Sequence, residues 1–108
     1  MPTILERMDD KVHEFPLEGE HLSMRPSDYF RRQCYVSFEA KEWNLVAAAT
    51  WLGTDRALWA SNYPYPEYAD NVLDTLVMAL EPLNKEQRLQ ILCRNEVEAY
   101  GLPIAAAV

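Results

Sequence analysis

Two short β-forming runs, separated by one helical stretch, constrain the fold more than any other feature of this sequence. The runs read CYVSF at residues 34–38 and RALWA at residues 56–60, and polar or turn-forming residues bound both. The stretch between them, residues 41–52, has a helical pattern, and Gly53 follows it as a C-terminal cap. A helix over these residues places five side chains on one stripe: Trp43, Val46, Ala47, Thr50 and Trp51. This order predicts a right-handed βαβ unit with parallel strands.

A sheet of only two parallel strands is physically awkward. Parallel sheets are normally covered on both faces and extended on both sides, because an unpaired strand leaves a row of main-chain N–H and C=O groups without partners. The predicted unit exposes two such edges. The sequence therefore predicts a partial α/β fold that needs further strands from outside this segment.

Helical patterns precede the predicted βαβ unit. Thr3 and Glu6 have capping-box spacing ahead of a stripe of apolar side chains, and Pro26 is placed to begin a second helix that runs to about residue 33. Residues 16–24 contain Pro16 and Gly19 and are predicted to form a loop. The apolar stripe of the first helix consists of Ile4, Leu5, Met8, Val12 and Phe15.

Further helices follow the second predicted strand. Residues 72–80 carry a helical apolar pattern, and Asn84 with Gln87 has the spacing of a cap for the next helix. A last helical stretch over residues 95–100 is expected to stop at Gly101. The predicted fold class is therefore α/β with two parallel strands and four to six helices, in a single segment over residues 1–108.

Composition limits the classes of function. The chain has 108 residues, enough for one domain, and its 17 acidic and 10 basic side chains give a formal net charge of −7. That charge repels phosphate backbones and anionic lipid, and the pair Arg31 and Arg32 is too short for a nucleic-acid-binding stripe. No run approaches the ~18 apolar residues of a membrane span. The charged residues at the start of the sequence leave no room for the apolar centre of a signal peptide. Cys34 and Cys93 indicate neither a disulfide framework nor a zinc site, so we expect a cytoplasmic protein.

Three stretches in fixed order resemble one enzyme family. They read RPSDYFRRQCYVSF at residues 25–38, LGTDRALWASNYP at 52–64 and NEVEAYGL at 95–102. Together they are similar to the C-terminal end of the amidohydrolase-related family, metal-dependent (β/α)8 barrels that include hydrolases and decarboxylases of the aminocarboxymuconate-semialdehyde type. The resemblance covers residues 2–102 and implies a partial TIM barrel, its last quarter to third, with the two runs as strands seven and eight.

The resemblance also implies what this segment lacks. In the family, strands one to six carry the histidines that hold a divalent metal, often zinc. Barrel active sites collect groups from the C-terminal ends of several strands, so one quarter cannot assemble the set. We therefore expect no metal ligands and no cofactor in this chain by itself.

One family site falls inside the chain, directly after the second predicted strand. The family wording there is close to Ser-Asp-Tyr-Pro-His, whereas this chain reads SNYPY at residues 61–65. The resemblance implies that Asn62 replaces an aspartate that binds metal and takes a proton from water, roles that require a titratable carboxylate. It implies that Tyr65 replaces a histidine at the substrate rim. From the residues alone, Asn62 is more often a polar turn residue, and Tyr63, Tyr65 and Tyr68 either line a substrate mouth or pack over a barrel end.

Other candidate side chains favour structural roles. The histidines lack the spacing of metal-binding pairs, and the tryptophans fit a core better than a binding platform. The cysteines suit packing better than nucleophilic chemistry. These residues are His13, His21, Trp43, Trp51, Trp59, Cys34 and Cys93.

These observations predict a C-terminal fragment of an amidohydrolase-like hydrolase or decarboxylase that is inactive alone, because the metal-ligand strands are absent and the family aspartate is Asn62. The alternative is a non-catalytic interaction module that completes its sheet with a second subunit. The expected partners are a second copy of the chain or a complementary barrel fragment, and neither nucleic acid nor membrane. A self-sufficient small enzyme is disfavoured because no ligand set survives.

Overall fold

A computed structural model describes residues 1–65 and 71–103 of the chain. The chain divides into two compact units, Met1–Tyr35 and Val36–Val108. Tyr68, which belongs to the predicted tyrosine cluster, lies outside the described residues.

The first unit consists of two helices, α1 over Pro2–Glu14 and α2 over Pro26–Gln33. The predicted capping box of Thr3 and Glu6 is wrong, because α1 begins at Pro2, whose fixed φ and missing N–H suit the first helical position. Leu5 is the buried residue of α1, whereas the other apolar side chains of the predicted stripe are exposed or half-buried. The prediction for α2 is confirmed.

Asp9 and Ser27 link the two helices of this unit. The Asp9 carboxylate accepts the Ser27 backbone N–H at 2.9 Å and the Ser27 hydroxyl at 2.6 Å. Ser27 is almost fully buried, so these bonds satisfy polar groups that water cannot reach. The first turn of α2 is therefore capped by a side chain from α1 and not by one of its own residues.

The second unit is built on a parallel pair of strands, β1 over Val36–Glu39 and β2 over Ala57–Ala60. The register pairs Val36 with Ala57 and continues to Glu39 with Ala60. The prediction of an α/β chain with two parallel strands is thereby confirmed, although β1 begins two residues later than expected and Cys34 precedes it.

Helix α3, over Leu45–Leu52, connects the two strands. It is shorter than predicted, because residues 41–44 form tight turns in which Glu42 N–H bonds to Glu39 C=O and Leu45 N–H bonds to Glu42 C=O. The predicted core position of Trp43 is wrong, since its side chain lies in these turns and is 96% exposed. The face that is buried carries Leu45, Ala48, Ala49 and Leu52. The predicted stripe is wrong because this helix is apolar on nearly every side, so its periodicity does not select one face.

Three further α-helices follow within residues 71–103, and the caps predicted at Asn84 and Gly101 are confirmed. They are α4 over Val72–Ala79, α5 over Lys85–Leu89 and α6 over Asn95–Tyr100, and a π-helical turn over Gln90–Arg94 joins the last two. Asn84 and Gln87 form the expected capping box, with N···O distances of 2.9 and 3.1 Å. Gly101 ends α6 with φ 59°, a left-handed conformation that favours glycine.

The core of the second unit lies between the strand pair and these helices. Several side chains from the helices and from β2 are completely or almost completely buried: Leu45, Ala49, Leu52, Ala57, Leu76, Leu80 and Ile91.

None of the described helices has both the length and the apolar character that a bilayer crossing requires.

Candidate functional site

The C-terminal ends of β1 and β2 meet at one edge of the sheet, because the strands are parallel. Residues that follow each strand enclose a small cavity there, together with two residues of α4. Its volume is about 60 Å³, which holds a few water molecules and is far below the ~300 Å³ of the smallest usual ligand pockets. The lining residues are Glu39, Ala40, Lys41, Ala60, Ser61, Asn62, Val72 and Thr75.

Asn62 lies in the tight turn that leaves β2. Its φ is 60°, in the left-handed region where asparagine is among the few non-glycine residues commonly found. Its C=O accepts the Tyr65 N–H at 2.7 Å, and the Ser61 hydroxyl oxygen accepts the Tyr63 N–H at 3.3 Å. Asn62 is therefore both a cavity residue and a turn residue.

The cavity offers little acid or base chemistry. Its carboxylate, Glu39, lies 3.4 Å from the ammonium of Lys41 and so forms an ion pair. The Asn62 amide has no proton-accepting role near neutral pH. Across residues 1–65 and 71–103, no three His, Cys, Asp or Glu side chains converge as metal ligands would. One ion-paired carboxylate and one amide do not fit the three or four ligands of a catalytic zinc or related ion.

Tyr65 is not brought into this cavity. Its side chain is 68% exposed, and it is absent from the lining that Asn62 shares with Glu39. Tyr63 is exposed as well, but it lines a second and wider depression. The two residues that the resemblance singled out, Asn62 and Tyr65, thus share a turn and not a cavity.

The wider depression is an open groove of about 630 Å³ beside the end of β2. Asn62, Cys93 and Glu96 are among its lining residues. One carboxylate oxygen of Glu96, Oε1, accepts the Trp59 backbone N–H at 3.3 Å. The other, Oε2, is buried and has no hydrogen-bond partner within the described part of the chain. Burial raises the pKa of Glu96, because the charged form loses hydration there.

Asn95, the neighbour of Glu96, is a buried polar residue whose side chain bonds to the main chain of β2. Its side chain is 2% exposed, and its Nδ2 donates to the C=O of Thr54 and of Ala57, both at 2.7 Å. Sequence reasoning placed Asn95 on a helix and assigned it no role. No local signal could have found this role, because the carbonyl groups that Asn95 binds lie 41 and 38 residues away along the chain.

Of the remaining candidates, Cys93 lines the wider groove, whereas His13, His21 and Cys34 line neither the cavity nor the groove. His13 and His21 are exposed and belong to the first unit. Cys34 and Cys93 are both free and half-buried. No protein-family model matches this chain, and neither does any curated protein.

Proposed function

We propose that this chain is the C-terminal part of an amidohydrolase-like (β/α)8 barrel, with β1 and β2 as strands seven and eight, and that it does not turn over substrate alone. One observation carries the proposal. Asn62 follows β2 directly, at the C-terminal edge of a parallel β1–α3–β2 unit, and barrel enzymes carry their reacting groups at that edge. The resemblance of residues 25–38, 52–64 and 95–102 supports the same assignment.

The chemistry of this edge supports the second part of the proposal. A hydrolytic or decarboxylating site of this kind needs a base and a set of metal ligands. The chain contributes the Asn62 amide, which donates and accepts hydrogen bonds, and the Glu39 carboxylate, which forms an ion pair with Lys41. The imidazoles would come from the rest of the barrel, whereas the family carboxylate belongs at the position that Asn62 occupies in this chain.

Turnover measurements test this proposal. The purified chain is assayed for ester, amide and carboxylate substrates with added Zn²⁺, Mn²⁺ or Mg²⁺, and we expect no rate above that of the metal alone. Asn62→Asp restores the family carboxylate and should still give no turnover. The matched control is Asn71→Asp, an exposed position before α4. Metal-dependent turnover that Asn62→Asp increases and Asn71→Asp does not would show that the site is far more complete than proposed.

The genomic neighbourhood supplies a positive test. We expect the reading frame directly upstream to encode strands that carry an HxH pair, since those strands would supply the ligands that this chain lacks. An upstream frame of unrelated sequence would contradict the view that this chain is one piece of a split barrel or the product of a truncated barrel gene. Cys34 and Cys93 are both free thiols, which supports a cytoplasmic location for a split-barrel piece and for a truncated gene product alike.

The state of the sheet edges favours a second candidate function, a non-catalytic interaction module. A closed barrel pairs its first strand with its last, so β2 would need a further strand on its outer edge. Asn95 and Glu96 already occupy that edge through Ala57 C=O and Trp59 N–H. A barrel neighbour must displace both side chains, whereas a module that grows from β1 need not. Size-exclusion chromatography with light scattering separates the two: a discrete dimer favours the module, and aggregation favours an orphaned barrel piece.

A further inference from the structure

The outer edge of β2 is closed by two side chains that imitate a strand. In a parallel ladder, one residue of the neighbouring strand donates its N–H to residue i of the strand and accepts the N–H of residue i+2. Asn95 Nδ2 donates to Ala57 C=O, and Glu96 Oε1 accepts Trp59 N–H. The two side chains of α6 thus supply what one residue of a third parallel strand would supply at this edge.

The same contacts show which main-chain groups of β1 point outwards. Because alternate residues of a strand bond to opposite sides, Ala57 and Trp59 point away from β1, so Leu58 points towards β1. Ser37 is the register partner of Leu58. Leu58 therefore bonds to the residues on either side of Ser37, and the N–H and C=O of Ser37 point to the outer edge of β1.

That outer edge has no side-chain closure of the kind seen at β2. Within residues 36–65 and 71–103, no side chain bonds to the Ser37 main chain as Asn95 and Glu96 bond to β2, and the Ser37 side chain is exposed. Among these described residues, the sheet is thus closed along the outer edge of β2 and open along the outer edge of β1. Unpaired strand edges of this kind bind another strand.

We propose that the outer edge of β1 pairs with β1 of a second copy of this chain, which deepens the interaction-module function given above. Each chain has one closed and one open edge, so self-pairing consumes both open edges and ends at a dimer. A two-fold axis makes the pairing antiparallel. The result is a four-stranded sheet with β2 of each copy outermost and closed by its own Asn95 and Glu96.

The residues of β1 fit such symmetric pairing around Ser37. The axis passes between the two Ser37 residues, so each Ser37 N–H donates to the C=O of Ser37 of the partner subunit. Val36 then lies opposite Phe38 of the partner subunit on the same face, and β-branched with aromatic pairs stabilise antiparallel strands. No charged residue lies directly opposite a like charge in this register, because Glu39 falls beyond the paired positions and is bound to Lys41.

Light scattering across a concentration series of the full chain tests the proposal. Wild type and Ser37→Ala should form the same dimer, because alanine keeps the main-chain groups. Ser37→Pro removes the outward N–H but no ladder bond to β2, and edge strands tolerate proline. Symmetry removes two hydrogen bonds, so the dissociation constant should rise roughly tenfold to a hundredfold with an unchanged circular dichroism spectrum.

Ser37→Lys keeps the test decisive if the proline variant unfolds. It leaves the main chain intact and places two like charges together at the axis, so the dimer should dissociate at low salt and reform at high salt. A monomer at every concentration overturns the proposal, and so does a dimer that neither Ser37→Pro nor Ser37→Lys weakens. Either result leaves the barrel assignment to its own tests of turnover and upstream sequence.

Discussion

Truncation of Asn95 tests most directly whether α6 closes the outer edge of β2. In Asn95→Ala, the C=O groups of Thr54 and Ala57 lose the donor that each now meets at 2.7 Å. A hydrogen bond contributes about 1 kcal/mol net, and a buried acceptor left without a donor costs about 1–3 kcal/mol. Ala57 is fully buried and Asn95 nearly so, so little water can replace the amide. We therefore expect the free energy of unfolding to fall by roughly 2–4 kcal/mol.

Urea unfolding followed by circular dichroism measures this loss as a lower midpoint at an unchanged slope. The matched control is Asn71→Ala, an exposed asparagine that precedes α4 and makes no side-chain cap bond. It should change the free energy of unfolding by less than about 0.5 kcal/mol. If Asn95→Ala behaves like this control, the closure of β2 by α6 does not exist in solution.

Three further perturbations have defined outcomes. Glu96→Gln keeps an acceptor for the Trp59 N–H but removes a carboxyl group whose pKa is raised by burial. The free energy of unfolding of the wild type should fall as the pH rises from the ordinary glutamate range through this raised pKa. Urea midpoints at several pH values should show that Glu96→Gln lacks this pH dependence. Asn84→Ala removes the capping box of α5, so thermal unfolding should show a loss of about 1 kcal/mol. Trp43→Ala removes a side chain that is 96% exposed, and its urea midpoint should match wild type within about 0.5 kcal/mol.

Local signals in the sequence were sufficient for most elements of the fold. The two β-forming runs predicted the parallel strands, and the Asn84 and Gln87 spacing and Gly101 predicted helix boundaries that the structure has. Each of these signals acts within a few residues, through strand propensity, a cap or a left-handed glycine. The chain order of strand, helix and strand then left parallel pairing as the natural arrangement.

Three other features of the fold were predicted wrongly or not at all. The apolar run of α3 does not reveal which face is buried, so Trp43 was predicted as core although it lies in the turns before the helix. Thr3 resembles a cap, but Pro2 begins the helix first. The bonds of Asn95 reach residues 38 and 41 positions away along the chain, and no local pattern encodes them.

The candidate site shows the same division between position and conformation. The sequence located Asn62 at the end of the second strand, and the residue lies at the C-terminal edge of the sheet. Its left-handed φ and the Tyr65 N–H that its C=O accepts depend on how the chain turns after β2. The left-handed conformation and this turn hydrogen bond explain an asparagine at position 62 on structural grounds alone. Two described carboxylates share a cavity or groove with Asn62: Glu39, which is ion-paired with Lys41, and Glu96, which accepts the Trp59 N–H.

The two candidate functions differ in what must happen at the outer edge of β2. A third strand would offer Ala57 C=O and Trp59 N–H the same donor and acceptor that Asn95 and Glu96 now offer, so the exchange of main-chain bonds is nearly even. The difference lies in the displaced side chains, because Asn95 would leave a buried position and Glu96 would give up its partner. A barrel must offset that cost with new apolar burial, whereas pairing at β1 displaces neither side chain. Growth of the sheet from β1 is therefore the step that both functions can share, and closure at β2 is the step that only a complete barrel requires.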